Sequence, residues 1–104
     1  MSKKDTLREL VNILVKSLRH KIGSIVNEDA LYAAKYAKDA EILLKEAQKV
    51  HLREHWNRDD KIEIKERLAN ELRIELTSKE FIADQKFDYI EKEIKEALRI
   101  LDLE

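Results

Sequence analysis

The chain has no proline, no cysteine and a single glycine, Gly23, in 104 residues. Proline removes a backbone donor and clashes with the preceding turn, and an interior glycine costs about 1 kcal/mol in a helix. Without them, little in the local sequence interrupts long helices. The lack of cysteine excludes a disulfide framework and thiolate chemistry, and it fits a reducing compartment. One glycine also excludes the Gly-rich loops that cradle phosphates. Aromatic residues number only six, so the core is expected to be aliphatic. No apolar run approaches the roughly 20 residues that span a bilayer, and the opening Met-Ser-Lys-Lys-Asp does not read as a signal peptide. The expectation is a cytoplasmic protein with no membrane partner.

What the chain has in abundance is charge. Charged residues make up 41% of it, yet 21 Lys and Arg nearly cancel 22 Asp and Glu, for a net charge of −1. The total therefore resembles neither a basic nucleic-acid binder nor an acidic tail. Abundant Glu, Lys and Ile without Cys is the compositional bias of hyperthermophile proteins and hints at a thermophilic source. At this length the chain has room for one domain, residues 1–104.

Hydrophobic spacing predicts four helices. Thr6 and Glu9 are spaced as a capping box, after which Leu7, Leu10, Val11, Leu14, Leu18, Ile22 and Ile25 recur at helical intervals. Gly23 is expected near the C-terminal cap, and Asn27 is expected to cap the next helix. Nothing from Asp29 to Trp56 would stop that second helix, which would reach roughly 40 Å. A third start is expected at Asp60 with Glu63, followed by Ile64, Leu68, Ala69, Leu72 and Leu76; Ile62/Ile64 and Leu72/Ile74/Leu76 also alternate like strands, but no turn residues separate two strands, so the segment reads as helix. A fourth is expected at Thr77 with Glu80, where Ala83, Phe87, Ile90, Ile94, Ala97 and Leu101 form a heptad seam. The predicted fold is all-α, a mostly antiparallel four-helix bundle with helices of unequal length. Its uncovered apolar ends would favour self-association or a protein partner.

Few residues suggest chemistry. His51, Glu54 and His55 form an H-x-x-E-H string, in which a continuous helix would set both imidazoles on one side at metal-ligating spacing. Its order is that of the inverzincin peptidases, but the chain lacks the length and mixed architecture of such an enzyme. The expectation is a polar end of the core, with Glu54 paired to lysine. His20 reads as an exposed histidine, because Lys21 and Gly23 do not fall where histidine phosphotransfer domains carry their Lys-Gly pair. Glu63 and Glu66 supply only half of the magnesium motif of helical nucleotide pyrophosphohydrolases, and Glu91, Glu93 and Glu96 read as a solvated helix face.

Residues 1–26 hold six Lys and Arg against two acidic residues, and Arg8, Lys16 and Arg19 line one side of the first helix. That side is a candidate nucleic-acid-binding face, contacting phosphates without regard to sequence, and nucleic-acid binding is the alternative reading. The leading expectation is nonetheless a non-enzymatic helical interaction or adaptor protein, self-associating or a subunit of a larger assembly, with no cofactor. Candidate interface residues are Tyr32, Tyr36 and Trp56, as aromatic anchors, and Phe87, Ile90, Ile94 and Leu101 on the last seam.

Overall fold

The computed structural model describes residues 2–104. Four α-helices are present: α1 (Lys3–Val26), α2 (Ala30–His51), α3 (Arg58–Ser78) and α4 (Ile90–Ile100), with a 3-10 segment, Asp84–Tyr89, leading into the last. They form the expected mostly antiparallel bundle, without strands among the described residues. The molecule measures 40 × 22 × 22 Å, so α1, about 36 Å long at 1.5 Å per residue, runs most of its length.

The helix ends differ from the expected ones, and each difference has a local cause. Ser2, not Thr6, caps α1, its Oγ accepting from the Asp5 amide at 3.2 Å. Thr6 is buried one turn inside, its Oγ1 3.2 Å from the Ser2 carbonyl. Gly23 is an interior residue without a positive φ, and α1 ends at Val26 with Asn27 as its C-cap, whose N–H donates to the Gly23 carbonyl at 3.1 Å. Asp29, not Asn27, caps α2 by accepting from the Leu31 amide at 2.9 Å. The capping box of α3 is Asn57 with Asp60, closed by bonds of 2.8 and 3.0 Å, rather than Asp60 with Glu63.

The predicted run to Trp56 ends earlier, at His51. The Trp56 indole folds back, and its Nε1 donates to the His51 carbonyl at 3.0 Å, satisfying a terminal acceptor. The predicted start at Thr77 is likewise replaced, since α3 continues through Ser78 and the chain then breaks. Lys86 is 2% exposed and donates through Nζ to the carbonyls of Lys79 (2.8 Å) and Ile82 (3.1 Å), closing this break. As a result α4 is the short helix, and α2 is no longer than its neighbour α1. The chain closes on a Schellman motif, with Asp102 at φ 57° and the Leu103 amide donating to the Leu98 carbonyl at 2.8 Å.

The core is aliphatic. Leu10, Leu14 and Ile22 of α1 meet Ile64, Leu68, Leu72 and Leu76 of α3, all fully enclosed, and α4 adds Ile94, Leu98 and Leu101. Helix α1 is the shared axis, touched by every other element, and α3 and α4 also pack on each other. By contrast, α2 packs along α1 and makes no extensive contact with α3 or α4. Only Ala40, Ala47 and Val50 of α2 are buried. No helix of the described residues is long and apolar enough to cross a membrane.

Candidate functional site

One-sided packing of α2 opens a groove of about 310 Å³ between α2 and α4, with α1 as its floor. The floor is Ser17, Leu18 and Lys21. Ser17 Oγ donates to the Ala40 carbonyl at 2.8 Å, a buried bond that ties α2 down beside the groove. Along the α2 wall lie Ala37, Ala40, Glu41 and Leu44, and the two alanines leave the space open. Glu93, Glu96, Ala97 and Ile100 form the α4 wall.

Three carboxylates therefore face one lysine, and they differ in their partners. Glu41 pairs with Lys45 one turn on, at 3.4 Å. Glu96 accepts from Arg99 at 2.6 and 3.2 Å, which holds its carboxyl below the usual carboxylate range and raises the Arg99 guanidinium. Glu93 is only 7% exposed, and its side chain has no hydrogen-bond or ion-pair partner among the described residues. The expectation of a solvated Glu93 is thus corrected. At i+3 from Ile90 and i−4 from Ala97, it sits on the margin of the apolar stripe, where an inward orientation was already possible.

The H-x-x-E-H string does not assemble as a ligand set. Helix α2 stops at His51 and the following residues turn, so the one-turn spacing of the imidazoles is lost. Glu54 Oε1 lies 3.5 Å from Thr6 Oγ1 and makes no ion pair with lysine, while His55 is exposed. His51 points inward, its Nδ1 buried without a partner, and desolvation lowers its pKa from 6.5. Among the described residues no group of three or more His, Asp or Glu side chains is placed to hold a metal ion.

The candidate interface residues separate by burial. Ile90, Ile94 and Leu101 lie inside this chain's own core, so the seam they form serves the fold itself. Phe87 is half-buried beneath Lys86 and Arg73, whose cationic groups lie 5.2 and 5.8 Å from its ring centre. Trp56 is half-buried by its capping role, with Lys3 over its ring. Tyr36 packs near Gly23 and meets the half-buried His20 edge-on at 6.0 Å. His20 Nδ1–H donates to the Lys16 carbonyl at 2.7 Å, so the ring is held against α1. Tyr32 is exposed, as are Leu31 and Ile42 on α2.

Of the basic residues on α1, Arg8 and Lys16 are exposed, whereas Arg19 lies 3.3 Å from Glu75 on α3. The space beside Lys16 is also lined by Glu71 and Glu75, which weakens the field expected for phosphate contact. Comparison with protein-family models, curated proteins and solved structures gave no match.

Proposed function

We propose that the chain is a non-enzymatic helical interaction module that docks a helix of another protein subunit in the groove between α2 and α4. The observation that supports this is the one-sided packing of α2, which leaves Ala37 and Leu44 facing open space beside Ile100 of α4. An amphipathic helix laid into such a groove buries its apolar face against small wall residues, a common mode of recognition between helical proteins. Alanines at the wall permit close approach of a neighbouring backbone. The groove, about 310 Å³, admits a few side chains inserted from a helix lying above it.

A photocrosslinking amino acid at position 37, compared with one at the exposed Asp59 of α3, tests the role in cells of the source organism. A discrete adduct at 37 and none at 59 is expected. Equal or absent adducts at both positions would rule out the groove as a docking face.

A further inference from the structure

Resting on the docking role proposed above, we propose that the occupant of the α2–α4 groove is a helix of a different protein that inserts a lysine or arginine onto Glu93. Two independent observations support it. The groove is lined by Ala37, Leu44, Ala97 and Ile100 together with Glu41, Glu93, Glu96 and Lys21, and of its three carboxylates Glu41 and Glu96 are already paired on their own helices, with Lys45 and Arg99. Within it Glu93 is more than nine-tenths buried and has no partner, although its carboxylate is not wholly sealed from the groove.

Burying a carboxylate is costly unless a cation or donor compensates it. In the free chain the Glu93 side chain is enclosed while its carboxylate still opens to the groove. A helix laid over the groove would cover that carboxylate, which favours an occupant whose basic side chain pairs with it over a neutral one of the same size. Lysine and arginine suit this task because their aliphatic stems cover Ala37, Leu44 and Ile100 while the charged head reaches inward.

Charge also decides against a second copy of the chain. A two-fold-related copy presents the same groove, whose lining holds three carboxylates and, among the described residues, Lys21 as its one cation. A copy offering the outer side of α2, with the exposed Lys35, Lys38, Lys45 and Lys49, would add head to tail and give a ring or an open chain rather than a two-fold pair.

The test is selection from a displayed library of amphipathic helical peptides with Ala and Leu on the inner face and one inner position varied among Lys, Arg, Gln, Leu and Glu. The targets are the full chain, Glu93→Gln and Ala37→Trp; residue 37 is exposed, so the last variant fills the groove without disturbing the core. Enrichment of Lys or Arg on the unaltered chain is expected, with affinity roughly thirtyfold or more above the Leu peptide. That preference should vanish on Glu93→Gln, and all binding should vanish on Ala37→Trp. Enrichment of neutral or acidic peptides that Ala37→Trp abolishes would overturn the cation inference and leave the docking role standing. Failure of any peptide to bind in a manner sensitive to Ala37→Trp would overturn both. Light scattering that shows a dimer or growing chains, dissociated by Ala37→Trp, would replace the foreign helix by a second copy.

Discussion

The hydroxyl of Ser17 on α1 donates to the carbonyl of Ala40 on α2 across 2.8 Å, in a site closed to solvent. This bond joins the central helix to the one helix that has no other extensive packing partner, and it lies at the floor of the groove. Ser17→Ala is expected to cost about 0.5–1.5 kcal/mol, the usual net worth of such a bond. Urea unfolding followed by circular dichroism would measure it, and an unchanged midpoint would show that the bond does not hold α2 in place.

Gly23→Ala should stabilise the fold. Gly23 is helical, and an added Cβ would sit 3.5 Å from Tyr36 Cδ2 and 4.0 Å from Ile82 Cδ1, ordinary contact distances. The gain expected from helix propensity and the less flexible unfolded chain is about 0.5–1 kcal/mol. A lowered melting temperature for Gly23→Ala would mean that Tyr36 or Ile82 lies closer than described.

His51 makes stability depend on pH. Burial lowers its pKa from 6.5 because the charged ring is desolvated, with Lys61 adding to the lowering and Asp102 opposing it. Between the lowered folded value and 6.5 the unfolded chain binds more protons, so stability rises with pH. The His51 contribution is complete above about pH 6.5 and is lost as the pH falls through the folded value. His51→Leu removes the buried, unpartnered Nδ1 and should flatten that part of the profile. Identical profiles for the two proteins between pH 5 and 7 would contradict the assignment.

Lys86 is expected to matter more than any other lysine for stability. Its Nζ serves two carbonyls at the break between α3 and the 3-10 segment, and its side chain is enclosed. Lys86→Met keeps the aliphatic bulk but takes the Nζ donor from the Ile82 carbonyl and leaves the Lys79 carbonyl with the Ile82 amide alone, at an expected cost of about 1–3 kcal/mol. Lys95→Met, at an exposed position of α4, is the control and should lie within about 0.5 kcal/mol of the unaltered chain. Equal melting temperatures for the two variants would refute the capping role.

The helices and their inner faces were legible in the sequence, because Leu10, Leu14, Ile64, Leu68, Leu72, Ile90, Ile94 and Leu101 recur at three- and four-residue steps in segments with no turn residues to divide them into strands. The ends were less legible where tertiary contacts decide them. Trp56 stops α2 by folding its indole onto the His51 carbonyl, and Lys86 closes the break after Ser78. Neither act leaves a local signature like that of a capping box. At Ser2, Asp29 and Asn57, several adjacent polar residues offered equivalent caps, and the chain used the earlier or later one.

The groove was hidden for a related reason. Whether Ala37 and Leu44 are covered depends on where α4 lies, and α4 begins only at Ile90 because the chain breaks after Ser78. Glu93 was the residue most readily misjudged, since its charge suggested solvent while its place beside Ile90 and Ala97 allowed burial.

One-sided packing of α2 is the structural claim on which the rest depends. Hydrogen exchange on the purified chain, at a concentration where light scattering reports a monomer, tests it most directly, because segments held by few buried contacts open at lower free energy. The amides from Ala37 to Ala47 of α2 should exchange clearly faster than those from Leu10 to Leu18 of α1 and from Leu68 to Leu76 of α3. Protection of all three segments to the same level would mean that both sides of α2 are covered in solution, and would contradict the open groove.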